Sequence, residues 1–139
     1  MKAEVKWINK LRLEGKSEKG QKIVMDSVPA GGMSEGPTPK ELVLRALAGC
    51  TMMDVITMLQ KQKIDMKKFS VEVNGDVANE HPKVFTKINV KYIFVSDDLD
   101  DTRARQAIEL SREKFCAVSN MLNKSAEITY TLEINKNTI

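Results

Sequence analysis

The sequence has little cysteine and little histidine: its 139 residues include two cysteines and one histidine. Two cysteines and one histidine cannot close a four-ligand zinc site, and no C-x-x-C pair is present. We therefore expect no metal site. A permanent disulfide is not expected in a reducing cytoplasm either. These exclusions leave two hypotheses for the cysteines, namely two buried inert thiols or a catalytic pair.

Aromatic residues are also scarce, at 5% of the chain, and the net charge of +3 comes from lysines scattered among acidic residues. Neither a base-stacking platform nor a phosphate-binding patch is expected, so we predict no nucleic-acid partner. Long hydrophobic runs are lacking too, because residues 42–59, the most apolar region, are interrupted by Arg45 and Asp54. The first residues carry no apolar block that ends in a cleavage site. We therefore expect a cytoplasmic protein with no membrane partner.

What the chain does contain is apolar periodicity of two kinds. Alternation predicts strands at residues 3–15, 21–27, 69–77, 84–95 and 128–134, with the first two forming a hairpin. Helical spacing predicts a long helix over residues 40–63, opened by Pro39, and a second helix that begins at residues 97–101. The order β-β-α-β-β-α-β predicts an α+β fold. Because consecutive strands pair as hairpins, we expect largely antiparallel sheets. The length fits a single domain, residues 1–139.

Both predicted helices carry apolar faces. The long helix is apolar around most of its circumference. Such a helix is buried on most sides, and a small domain can hardly enclose it alone. We therefore expect a second copy of the chain to cover part of it in a homodimer. The second helix is expected to pack through one side, lined by Ala104, Ile108, Ser111 and Phe115.

The two cysteines lie in different surroundings. Cys50 is in the middle of the long helix among small residues, and Cys116 lies where the second helical pattern fades. Ser119 is a candidate cap for a short new helix there, and a thiol just before a helix N-terminus is favoured as thiolate. Taken singly, each cysteine is more typical of a packed small hydrophobe than of a nucleophile. Asp54 lies one turn after Cys50 on the same face, where a carboxylate opposes thiol activation. The alternatives are that it holds a cation or caps a neighbouring backbone, and it is predicted to be at most a wall of the site.

Two motifs carry a resemblance to a known family. Residues 37–50 read PTPKELVLRALAGC, and residues 115–119 read FCAVS. Together, with this separation and this order of elements, they resemble the OsmC/Ohr family of osmotically inducible protein C and the organic hydroperoxide resistance proteins. The resemblance covers nearly the whole chain. It implies an OsmC-like fold with a long buried central helix, assembled as an intertwined homodimer.

The resemblance also implies an activity. Members of this family are thiol-dependent peroxidases: the cysteine matching Cys50 attacks a hydroperoxide and becomes a sulfenic acid, and the cysteine matching Cys116 condenses with it to a disulfide. An external dithiol, such as a lipoylated protein, or a small thiol then reduces the pair, with no cofactor. The alternative is a divergent OsmC-like protein without peroxidase activity that binds a small apolar or sulfur-containing ligand at the dimer interface.

The sequence departs from the family pattern at two places. The family pairs an arginine of the N-terminal hairpin with a glutamate ten residues before the first cysteine, a position that Lys40 occupies here, followed by Glu41. Glu41 is expected to be an ordinary first-turn acid of the helix. Arg12 is the candidate for the activating arginine, and Lys40 is the other candidate cation. Ala117 stands where the family usually has proline.

Overall fold

The computed structural model describes residues 1–28 and 34–137. The chain forms two compact units, Met1–Val43 and Leu44–Ile139. Strands and helices are mixed in an α+β architecture with two three-stranded sheets, one in each unit. The predicted fold class is therefore confirmed, while the assignment of residues 1–139 to one domain stays a prediction.

The first unit contains an antiparallel sheet in the order β1-β2-β3. Its strands are β1 (Ala3–Asn9), β2 (Arg12–Ser17) and β3 (Lys22–Met25). The prediction of one continuous strand over residues 3–15 is therefore wrong. The chain reverses at Lys10, which has a φ of 45°, and Lys10 accepts a hydrogen bond of 2.8 Å on its carbonyl from the Trp7 indole. This tight turn uses neither glycine nor proline, and Asn9 is the only residue next to it of a type that is common in turns, so the turn signal is weak.

Helix α1 (Pro39–Lys61) begins with a capping box. The Glu41 backbone N–H donates to Thr38 Oγ1 at 3.3 Å, and the Thr38 backbone N–H donates to a Glu41 carboxylate oxygen at 3.0 Å. These two bonds satisfy two of the N–H groups that a helix start leaves without partners. Glu41 is therefore a first-turn acid, as predicted, and Pro39 opens the helix.

One stripe of α1 is fully buried in the chain. It recurs every four residues and consists of Leu47, Thr51, Val55 and Leu59. The residues beside this stripe are half-buried or exposed, and the Met53 side chain is 72% exposed. The expectation of burial on most sides is therefore not met within a single chain.

Helix α1 is long and apolar. By length and composition alone α1 could cross a membrane, with a mean hydropathy of 1.7 over an 18-residue window, of which 22% is buried. The core helix of a soluble protein passes the same test, so one such helix is a weak signal. The interruptions at Arg45 and Asp54 do not by themselves exclude a span.

The second unit contains a sheet in the order β4-β5-β6. Its strands are β4 (Lys68–Val77), β5 (Phe85–Val95) and β6 (Glu127–Asn135). One face of β5 is buried as predicted, through Ile88, Val90, Tyr92 and Phe94, and shares one hydrophobic core with α1. The β4–β5 pair is antiparallel, but β5 and β6 pair in parallel. The helices between β5 and β6 supply the long crossover that a parallel pair requires.

The segment between β5 and β6 contains the second predicted helix and the short helix after Cys116, with a π-helical turn between them. It consists of α2 (Asp101–Leu110), a π-helical turn (Ser111–Phe115) and α3 (Ala117–Leu122). Asp100 caps α2 by accepting the Arg103 backbone N–H at 2.8 Å. Ala104, Ile108 and Ser111 are buried as expected, but Phe115 is 52% exposed, because the wider π-helical turn changes the direction of its side chain.

Candidate active site

Cys50 lies in the middle of α1, and its side chain is half-buried. Asp54 follows four residues later on the same helix, so both side chains share one face. The next turn of the same helix buries Val55 completely. A packed helix therefore holds the Cys50 thiol and the Asp54 carboxylate side by side.

Cys116 lies at the junction between the π-helical turn and α3. Its backbone N–H donates to the Ser111 carbonyl at 2.7 Å, and its φ of −75° and ψ of 99° end the helical path. The Cys116 sulfur accepts the backbone N–H of Ser119 at 3.3 Å. Cys116 itself is thus the N-cap of α3, and the prediction that Ser119 caps this helix is wrong, because Ser119 lies inside it.

The break at Cys116 is stabilised without the family's proline. Ala117 begins α3, and the side-chain amide of Asn120 donates to the carbonyls of Cys116 at 2.9 Å and of Arg112 at 3.0 Å. The Arg112 carbonyl needs such a donor, because the Cys116 backbone N–H bonds to Ser111 instead. The π-helical turn and Asn120 therefore present the Cys116 thiol where proline would otherwise end the helix.

The structure brings three potential ligand or reacting atoms together. The Cys50 sulfur, the Cys116 sulfur and a carboxylate oxygen of Asp54 all lie within 4.8 Å of one another. Cys116 is fully buried, and its thiol pKa is raised to about 12, mainly by this burial and also by the neighbouring Cys50 and Asp54, while the hydrogen bond from the Ser119 backbone N–H opposes the rise. Cys116 is therefore a neutral thiol near pH 7.

A chain of hydroxyl groups ends on Asp54. Ser111 Oγ donates to Asp54 Oδ2 at 2.9 Å, so the Thr51 hydroxyl, 2.8 Å from Ser111 Oγ, must donate to Ser111. Tyr92 in turn donates to Thr51 across 2.7 Å. Burial raises the pKa of Tyr92 to about 12, which keeps it a donor at neutral pH. The chain orients the carboxylate from the centre of the core.

Thr51, Ser111 and Tyr92 were not predicted as part of this site. One signal for Thr51 was present: it is the only polar residue in the stripe that runs from Leu47 to Leu59 at intervals of four. A polar residue at a core position of a helix requires a buried partner. No comparable signal distinguishes Tyr92 from the other apolar positions of β5.

We expect Thr51→Val to destabilise the protein more than Tyr92→Phe does. Thr51→Val leaves the buried Tyr92 hydroxyl without its partner, which costs about 1–3 kcal/mol, whereas Tyr92→Phe removes only one bond and costs about 0.5–1.5 kcal/mol. Urea unfolding of both variants and of the double variant measures this. The double variant should lose less stability than the sum of the two single losses, and additive losses would contradict a direct bond.

The two candidate cations both lie in the first unit. Arg12, at the start of β2, places Nε 3.5 Å from Asp26 Oδ2 and Nη2 3.6 Å from a Glu35 carboxylate oxygen. The pKa of Asp26 is lowered, first by the Glu35 backbone N–H and also by Ser27 and Arg12. Lys40 is exposed in the first turn of α1. The assignment of either cation to the cysteine site stays a prediction.

Comparison with known proteins places this arrangement in a family. Residues 31–131 match the model of the OsmC-like protein family. Protein YhfA of Escherichia coli strain K12 is 37% identical over 134 residues, which cover 96% of this chain and 98% of that protein.

Solved structures of OsmC-like proteins share the fold over nearly the whole chain. The OsmC-like protein of Mycoplasma pneumoniae superposes with a TM-score of 0.83 at 17% identity and 96% coverage of both chains. The organic hydroperoxide resistance protein OhrB of Bacillus subtilis superposes with a TM-score of 0.64 at 20% identity, covering 96% of this chain and 98% of that chain. The chain belongs to the OsmC-like protein family.

Proposed function

We propose that this protein is a thiol-dependent peroxidase that reduces organic hydroperoxides through Cys50 and Cys116. The observation that carries the proposal is the approach of these two sulfurs to within 4.8 Å of each other. They come from the middle of α1 and from the start of α3, and they are the only cysteines in the sequence. The organic hydroperoxide resistance protein OhrB shares the fold.

The burial of the two thiols supports different roles for them. Cys50 is half-buried, so a peroxide can reach its sulfur, whereas Cys116 is fully enclosed. The first attack therefore belongs to Cys50 and the second step to Cys116. In a disulfide the sulfurs are about 2.05 Å apart, so they need to close by less than about 3 Å.

The chemistry balances in two steps. The Cys50 thiolate attacks the terminal oxygen of the hydroperoxide, the O–O bond breaks, and the leaving alkoxide takes a proton to become an alcohol. The Cys116 sulfur then attacks the sulfur of the Cys50 sulfenic acid, and its proton leaves with the hydroxyl as water. Rapid closure to the disulfide protects the sulfenic acid from further oxidation. An external dithiol, such as a lipoylated protein, or a small thiol restores both thiols.

The surroundings of Arg12 support it as the activating cation. The family pairs its arginine with an acid at the helix start, and Glu41 is occupied there by the Thr38 capping box. Arg12 instead pairs with Asp26 and Glu35. We propose that Arg12 is the activating cation and that these two carboxylates replace the family glutamate as its partners. Lys40 is the second candidate for this charge.

The exposed part of α1 supports the proposal of a homodimer. The helix buries a single stripe in its own chain, and Met53 remains 72% exposed. Burying such apolar surface is the main favourable term in protein association. We propose a cytoplasmic homodimer in which the partner covers this side of α1.

The alternative function, binding of a small apolar or sulfur-containing ligand without peroxidase activity, is favoured by one observation. Glu41 is the only acid in the first turn of α1, and the capping box holds its carboxylate at Thr38. If the peroxidase chemistry requires an acid at the helix start, this chain does not supply it. Peroxide reactivity distinguishes the two functions.

The test is the fate of Cys50 when Cys116 is removed. Cys116→Ser, treated with cumene hydroperoxide and dimedone, should accumulate the sulfenic acid adduct on Cys50, because no thiol remains to resolve it. Mass spectrometry of the tryptic peptides measures the adduct. The matched control is Cys50→Ser, in which Cys116 should stay unmodified. A Cys116→Ser protein whose Cys50 remains a free thiol under excess peroxide would overturn the proposal.

A further inference from the structure

The reduced site combines two sulfurs and a carboxylate of the second unit. Cys50 and Asp54 lie one turn apart on α1, and Cys116 approaches them from the start of α3. Their ligand atoms all lie within 4.8 Å of one another. Two thiolates and a carboxylate form a donor set that suits borderline-soft divalent cations such as Zn²⁺.

We propose that the reduced Cys50–Asp54–Cys116 cluster is a binding site for a thiophilic divalent cation, with Zn²⁺ as its typical occupant. The inference is independent of the peroxidase activity, since it concerns the reduced protein without peroxide. Counting cysteine and histidine alone excluded a closed four-ligand site. Asp54 supplies a third ligand, and water completes an open three-ligand site.

The dimensions of the cluster fit such an ion after a small contraction. With Zn–S bonds of about 2.3 Å and Zn–O bonds of about 2.0–2.2 Å, tetrahedral ligand atoms lie roughly 3.5–3.8 Å apart. Donors that already lie within 4.8 Å must close by about 1 Å. Cys50 and Asp54 are both only half-buried, so their side chains have room to adjust.

The surroundings of Asp54 resemble those of a metal-binding carboxylate. Within residues 44–137 its carboxylate accepts a hydrogen bond from Ser111 and forms no ion pair. Ser111 is held in turn by Thr51 and Tyr92, which gives the carboxylate an ordered outer shell. Outer partners of this kind orient a ligand and raise its affinity for metal. The bond uses Oδ2, which leaves the other carboxylate oxygen available.

Metal binding and disulfide formation exclude each other at this site. Coordination of Zn²⁺ by both sulfurs releases the two thiol protons and leaves the sulfur oxidation state unchanged. A Cys50–Cys116 disulfide has no thiolate to offer, so oxidation must release the metal. The bound ion therefore makes the pair respond to the supply of thiophilic metal as well as to oxidant.

The experiment uses full-length protein reduced with a phosphine, freed of metal with a chelator and titrated anaerobically with Co²⁺. We expect one Co²⁺ per chain, with thiolate-to-cobalt charge-transfer absorption and the visible bands of tetrahedral cobalt, displaced by Zn²⁺. Cys50→Ser and Cys116→Ser should each lose the charge-transfer intensity of one thiolate. Asp54→Asn should weaken binding by more than about tenfold, because loss of even an outer-shell partner typically costs roughly 10–100-fold.

The matched control is Asp65→Asn, an acid of the same unit that is exposed and paired with Lys67. It should bind Co²⁺ as the wild type does. Equal affinities for Asp54→Asn and Asp65→Asn would overturn the three-ligand site, and so would cobalt spectra that both cysteine variants leave unchanged. Should Asp54→Asn fail to fold by circular dichroism, wild-type protein gives the answer: Zn²⁺ must slow the reaction of both thiols with a disulfide reagent, and unchanged rates would overturn the proposal.

The peroxidase proposal can fail without affecting this result. If the protein binds metal but its thiols do not react with peroxide, the metal site is supported and the peroxidase function is ruled out. If the protein turns over peroxide normally but binds no Co²⁺, the peroxidase function is supported and the metal site is ruled out.

Discussion

Cys50→Ser is expected to lower the rate of cumene hydroperoxide reduction by about three orders of magnitude or more. A serine hydroxyl stays protonated near neutral pH and is a far weaker nucleophile toward oxygen than a thiolate. Cys116 cannot substitute, because it is fully buried and its raised pKa keeps it protonated. The loss of peroxide in the presence of excess dithiol measures the rate.

Cys116→Ser provides the comparison for this variant. In a single-turnover experiment without dithiol it should still consume one equivalent of peroxide per chain, whereas Cys50→Ser should consume none. A Cys50→Ser protein that retains a rate within about tenfold of the wild type would contradict Cys50 as the attacking group, since the loss of a nucleophile costs far more.

Phe94→Ala is expected to cause the largest loss of stability, about 3–5 kcal/mol. The Phe94 ring has no exposed surface and stacks on Phe69 with a centroid distance of 4.2 Å and an interplanar angle of 4°. Removing it opens a cavity between β5 and its neighbours and ends the stacking. The midpoint of thermal unfolding should fall by about 10 °C or more.

Phe115→Ala is the matched control for the loss at Phe94, because it removes the same side chain from a site that is 52% exposed. It should change the free energy of unfolding by less than about 1 kcal/mol. Urea unfolding of both variants measures the difference. Equal losses of stability at the two positions would contradict the buried core position of Phe94.

Most elements of the second unit could be predicted from periodicity and caps. The alternation of Ile88, Val90, Tyr92 and Phe94 predicts a strand with one buried face, and that face is buried. Asp100 falls in the predicted start of the second helix and caps it. Local signals suffice there because each one depends only on residues that lie close together in the sequence.

Two features of the fold were not predicted. The reversal at Lys10 lacks glycine and proline, and the apolar alternation continues on both sides of it, so two strands look like one. The parallel pairing of β5 with β6 departs from the hairpin that was expected for consecutive strands, because helices lie between these two strands. A helix between two strands permits the crossover that parallel pairing needs.

The candidate site depends on contacts between distant segments. Spacing alone does not pair Cys50 with Cys116; the family resemblance did so, and the structure places their sulfurs within 4.8 Å of each other. The π-helical turn that presents Cys116 has no sequence signature, and Ala117 in place of proline made the break harder to predict. Asp54 was predicted to be at most a wall of the site, because its neighbours Ser111 and Cys116 are remote in sequence.

The most direct test of the central claim is to count thiols and map disulfides after adding one equivalent of cumene hydroperoxide to the reduced wild-type protein. The account predicts the loss of both thiols and an intrachain Cys50–Cys116 disulfide in the peptide map. Two free thiols that persist under excess peroxide would contradict it.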